Sequence, residues 1–214
     1  MSHNSIAVLI SGRGSNMLAL QRACADGRVA ARIVLVLSND PAAAGLALAR
    51  EQGLRVEALE RRGFPSRAAY EQALGDRIEA SGAELICLAG FMRRLGPGFV
   101  QRFRGRVLNI HPSLLPAFPG LDAQHQAWEY GARVSGCTVH FVDQQLDHGP
   151  IILQQVVEVD PRDSAESIAG RILEREHDTY WRAVQLYFER RLELEGRRVM
   201  ILPRGRSADA RQSE

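Results

Sequence analysis

Short, largely apolar runs recur along the chain and longer helical patterns separate them, and this order narrows the fold more than any other feature. Residues 6–10, 33–37, 85–89 and 107–110 are rich in Ile, Val and Leu, with almost no polar alternation. Strands buried on both faces look like this, as in a parallel sheet covered by helices. Residues 16–25, 43–51 and 66–80 between them read as helices. A β-α-β order of this kind implies an α/β fold with a doubly wound, mostly parallel, Rossmann-like sheet and right-handed crossovers.

Beyond Pro112 the texture changes. Residues 137–142 and 151–159 alternate more and imply an antiparallel extension, joined through 143–150. A long helix follows, with Asp163 and Glu166 spaced as a capping box, and runs to about Arg190. Residues 192–194 and 199–202 suit a hairpin around Glu195-Gly196. The expectation is one domain over 1–203 and a disordered polar tail over 204–214.

Composition removes several function classes. All 27 basic residues are arginine. With no lysine there is no Schiff base, no internal pyridoxal phosphate linkage and no P-loop lysine. A formal charge of +2 gives no case for nucleic acid. No apolar run approaches the roughly 20 residues of a membrane span. Cys24, Cys87 and Cys137 form no CxxC motif and read as core residues in a reducing compartment. With no secretory signal at the start of the sequence, the expected location is cytoplasmic.

Polar residues gather where apolar strands end, which is where open parallel sheets bind ligands. Ser11-Gly12-Arg13-Gly14-Ser15-Asn16 joins the first strand to a helix. Two glycines there let backbone N–H groups approach an anion at the helix N-terminus. A dinucleotide fingerprint would need glycine where Met17 stands, although Asp40 follows the second strand; a plain strand–helix turn is the other reading. Asn109 and His111 share one face at the exit of another strand, ahead of Pro112 and Pro116. Acyl transfer to an amine needs a donor for a developing oxyanion and a group that moves protons near neutrality, and Asn and His supply these. Asp147 lies in the turn between two later strands. Glu176 falls inside the apolar stripe of Ile168, Ile172, Tyr180, Val184 and Tyr187, so it calls for a partner or a substrate. His111, His125, His140 and His148 include no i, i+4 pair and no carboxylate–histidine motif, so no metal is expected.

Leu108-Asn109-Ile110-His111-Pro112-Ser113-Leu114-Leu115-Pro116 followed by Pro119-Gly120 resembles the signature of folate-dependent formyltransferases. Val139-His140-Phe141-Val142 and Leu146-Asp147-His148-Gly149-Pro150-Ile151-Ile152 are similar to the family's second motif. The glycine loop and Ala89-Gly90-Phe91-Met92-Arg93 narrow the resemblance to the glycinamide ribonucleotide transformylases, over nearly the whole chain. It implies that Asn109, His111 and Asp147 are catalytic. It implies that Gly14, Ser15 and Asn16 hold a substrate phosphate, with Leu173, Glu174, Arg175 and Glu176 near the ribose and amine. Folate would contact Arg67, Met92, Arg93, Arg94, Leu95, Asn109, Asp143, Gln144, Gln145, Leu146 and Asp147. The implied co-substrate is 10-formyltetrahydrofolate and the acceptor glycinamide ribonucleotide, in purine biosynthesis. A formyltetrahydrofolate hydrolase, a tRNA or sugar formyltransferase and a non-catalytic nucleotide-binding Rossmann protein are the alternatives. The expected partners are these small-molecule substrates, and the oligomeric state, monomer or homodimer, is open.

Overall fold

The computed structural model describes residues 4–205, so most of the tail expected over 204–214 lies outside the described residues. The chain divides into two compact units, Met1–Asn109 with Val142–Gln144, and Ile110–Phe141 with Gln145–Glu214.

In the first unit, β1 (Ser5–Ile10), β2 (Arg32–Ser38), β3 (Val56–Ala58), β4 (Leu85–Leu88) and β5 (Val107–His111, whose last two residues open the second unit) pair in the order β3-β2-β1-β4-β5. Every pairing is parallel. β1 and β4 are buried along their whole length, which accounts for their continuous apolar sequence. The crossovers are α1 (Ser15–Ala25), α2 (Ala44–Glu51), α3 (Arg67–Ala80) and α4 (Pro97–Arg102). Leu74 and Ile78 of α3, Phe99 of α4 and Phe103 just after it pack with Leu9, Leu37 and Ile86 of the sheet in one apolar cluster. The strand order reverses between β1 and β4, and a ligand crevice forms beyond strand ends at such a switch point.

In the second unit, β6 (Val134–Phe141) and β7 (Ile151–Glu158) form an antiparallel ladder. β8 (Leu192–Glu195) and β9 (Arg198–Ile201) form a hairpin, and β9 joins β7 in parallel at Ile151 and Arg198. α5 (Ala123–Glu129) precedes the ladder, and α6 (Ala165–Phe188) packs on it through Ile168, Ile172, Thr179, Tyr180, Ala183 and Val184. The chain is thus α/β, with a mostly parallel sheet and antiparallel strands toward its C-terminal end.

The cap of α6 differs from the expected one by a single residue. Ser164 is the N-cap and forms a capping box with Ser167, each side chain accepting from the other's backbone N–H. Asp163 is drawn away by Arg171, whose guanidinium it binds, and by the Asp160 N–H. β3, α4 and α5 are too short to show a periodicity in the sequence.

Candidate active site

The glycine loop leaves β1 at Ser11, whose N–H donates to the Gly90 carbonyl at 3.0 Å. The Ser11 hydroxyl accepts from the Met92 N–H at 2.7 Å and donates to the Asn39 side chain. One small side chain therefore ties together the ends of β1, β2 and β4. Gly14 takes φ +76° and lies against Gly45, where a Cβ would come within 2.8 Å of the Gly45 Cα. Only glycine meets both demands, the left-handed backbone and the close approach. Gly14 is also the N-cap of α1, and no side chain caps that helix. Ser15 and the buried Asn16 begin its first turn. An uncapped helix N-terminus of this kind suits an anion.

Arg67 opens α3, while Met92, Arg93, Arg94 and Leu95 follow β4. Met92 is 64% exposed, whereas Leu95 is buried. The Arg67 Nε donates to the buried Glu71 carboxylate at 2.6 Å, and its Nη2 donates to the Arg94 carbonyl at 2.8 Å. Glu71 also accepts from the Gly96 N–H at 2.9 Å. Helix α3 thus holds the backbone of residues 94–96 at both ends. The Arg94 guanidinium reaches the carbonyl of Gln144, which follows the half-buried Asp143. Arg67, Glu71, Gly96 and Phe99 border a cavity of about 430 Å³ in the first unit.

Asn109 and His111 lie two residues apart on β5, so the strand presents both on one face. His111 is 5% exposed. One ring nitrogen, Nε2, is 2.9 Å from the Phe118 carbonyl, and the other, Nδ1, is 3.5 Å from the Asp147 carboxylate. Both neighbours only accept hydrogen bonds, so the ring is flanked by an acceptor on each side. Asp147 is fixed in turn by the Gly120 N–H, which donates to it at 2.8 Å. Phe118 and Asp147 both take positive φ, 51° and 48°, a rare conformation for residues with side chains.

The segment after His111 is strapped to the β6–β7 ladder. The buried Thr138 hydroxyl donates to the Ser113 carbonyl at 2.7 Å and accepts from the Leu115 N–H at 3.1 Å. Gln154 donates to the Leu115 carbonyl at 2.9 Å. Gln145 and Leu146 are exposed beside Asp147.

On α6, Leu173 is half-buried and Glu176 buried, with Glu176 in electrostatic reach of Cys137. Glu174 and Arg175 instead border an open cleft of about 860 Å³ with Arg133, Val156 and Asp163, at the Glu158 end of the β6–β7 ladder. Burial also pushes the Cys137 thiol up to about 11. Among the described residues, no three His, Cys, Asp or Glu side chains gather as a metal site. No helix among them is long and apolar enough to cross a membrane.

The sequence does not single out the Phe118 carbonyl or the Gly120 N–H. Backbone groups carry no residue signature, and only the turn-forming Pro119-Gly120 marks the place. Ser11 is visible as part of the loop but not as its tie to Met92.

A family model described as formyl transferase matches residues 4–184. The chain is 41% identical over 212 residues to phosphoribosylglycinamide formyltransferase of Escherichia coli, covering 96% of this chain and 99% of that protein. It is 46% identical over 183 residues to the trifunctional purine biosynthetic protein adenosine-3 of Drosophila melanogaster, of whose length it spans 14%. The crystal structure of glycinamide ribonucleotide transformylase 1 from Symbiobacterium toebii superposes with a TM-score of 0.93 at 48% identity, covering 95% of this chain and 96% of that one. By motif, fold and similarity along most of its length, this chain belongs to the formyl transferase family.

Proposed function

We propose that the chain transfers the formyl group of 10-formyltetrahydrofolate to the amine of glycinamide ribonucleotide. The products are formylglycinamide ribonucleotide and tetrahydrofolate, in purine biosynthesis. The observation that carries this reading is the imidazole of His111, held between the Asp147 carboxylate and the Phe118 carbonyl on the strand that also bears Asn109.

The substrate amine attacks the formyl carbon and a C–N bond forms. The carbonyl oxygen becomes an oxyanion, stabilised by the Asn109 amide, a donor worth on the order of 3 kcal/mol, and by the positive charge of the His111 imidazolium. Asp147 orients the imidazolium. The bond from the formyl carbon to the folate nitrogen then breaks. The amine proton leaves through water, and the folate nitrogen regains one. Nothing in this route calls for a covalent enzyme intermediate or a metal.

Gly14, Ser15 and Asn16 are assigned to the substrate phosphate, supported by the uncapped N-terminus of α1. Leu173, Glu174, Arg175 and Glu176 are assigned to its ribose and amine on resemblance alone. Arg67, Met92, Arg93, Arg94, Leu95, Asn109, Asp143, Gln144, Gln145, Leu146 and Asp147 are assigned to folate. The ordered backbone of 94–96 supports that assignment. Residues 1–203 act as one formyltransferase domain in this reading, since the family match runs through both compact units. Both substrates are water-soluble small molecules, in keeping with cytoplasmic work.

The test is to incubate purified protein with formyl-folate and candidate acceptors. Formylglycinamide ribonucleotide should appear in step with loss of the folate formyl group. Free formate released at the same rate without acceptor would make the protein a hydrolase instead, and formylation of methionyl-tRNA alone would move it to another branch of the family.

A further inference from the structure

Arg197 lies in the turn between β8 and β9, beyond the residues matched by the family model. The parallel pairing of Ile151 with Arg198 brings this turn beside the Asp147–Ile151 segment. There the Arg197 Nη2 donates to the His148 carbonyl at 2.7 Å. Its Nη1 lies 2.7 and 3.0 Å from the two nitrogens of the His148 ring. One guanidinium therefore grips both the backbone and the side chain of the residue that follows Asp147.

Asp147 takes a φ of +48°, in the left-handed region that few residues with side chains adopt. The Gly120 N–H aims the carboxylate toward His111. A hold on the next residue limits how far the 147–148 backbone, and the carboxylate it carries, can shift from the imidazole.

We propose that Arg197 is a positioning residue that holds Asp147 against His111, an inference that rests on the catalytic reading of Asp147. Arg197 is exposed, and exposed polar contacts add little to folding stability. A misplacement of about 1 Å in a reacting group, however, can cost on the order of 100-fold in rate. The loss on removing Arg197 therefore falls on turnover and not on folding.

The experiment compares Arg197→Ala, Arg197→Lys, Asp147→Asn and the double variant Arg197→Ala/Asp147→Asn in steady-state formyl transfer, with thermal midpoints as a check on folding. Arg197→Ala should lower kcat about 10-fold, within the range of that misplacement cost. KM for both substrates should stay within about twofold and the midpoint within about 2 °C. Arg197→Lys keeps a cationic donor for the His148 carbonyl and should recover most of the loss. In the Asp147→Asn background, Arg197→Ala should cost nothing further, because the group it positions is already gone. An unchanged kcat in Arg197→Ala, or an equal additional loss in the double variant, overturns the inference. If Asp147→Asn itself keeps full activity, the catalytic reading of Asp147 fails first and the inference with it.

Discussion

His111 touches an acceptor on each side, and single substitutions separate what each contributes. Asp147→Asn keeps the size of the side chain and the hydrogen bond from Gly120 but removes the charge facing the imidazole. Turnover should fall by about 10²–10³, the scale of losing electrostatic support at an oxyanion, with a much smaller loss of folate affinity because the side chain keeps its size. Single-turnover rates and a folate titration of the same variant check both halves. Gly14→Val meets the Gly45 backbone and a left-handed φ together. It should weaken the ribonucleotide far more than the folate, and equal weakening of both in a folded variant would count against the phosphate assignment. The Cys137 thiol, raised to about 11 mainly by burial, is protonated at pH 8 and should resist alkylation there until the protein unfolds. Mass spectrometry after iodoacetamide reads this directly.

Among the elements, the strap between the segment after His111 and β6 matters most. Thr138 both donates and accepts there, at full burial. Thr138→Val conserves the shape but leaves the Leu115 N–H short of its acceptor. It should cost about 1–3 kcal/mol in denaturant unfolding. Gly136 sits two residues earlier, where a Cβ would overlap the Gln155 carbonyl oxygen of the paired strand. That oxygen is backbone and cannot step aside, so Gly136 belongs to the ladder's register. How these elements read in sequence follows from their surroundings. β1, β2 and β4 are legible because burial on both faces selects apolar side chains at nearly every position. β3 has three residues and α4 six, too few for any period to emerge. Asp163, a good N-cap by type, does not cap α6 because it has a stronger partner in Arg171, eight residues along the chain.

At the scale of the whole molecule, that same pair gives stability a pH dependence. Hydrogen bonds from Arg171, and then from the Asp160 backbone, hold the Asp163 carboxylate well below its ordinary value of 3.8. A carboxylate depressed on folding stabilises the native state above that ordinary value, and the benefit is lost as pH falls through the lower folded one. Asp163→Asn should therefore lower the thermal midpoint at pH 7, and the gap from the parent should narrow as pH drops below about 3.8, the unfolded carboxylate's range. A gap that stays constant with pH would mean that the contribution is not ionic. The chain's periodicity by itself determined the α/β class, because one- and two-faced burial leave different patterns along a strand. Its motifs marked Asn109, His111 and Asp147 as the place to look, because few residue types suit acyl transfer. Only the tertiary structure decided how His111 is held. The Phe118 carbonyl, the Gly120 N–H and the Arg197 guanidinium reach their partners through backbone geometry and strand pairing, and sequence spacing encodes neither.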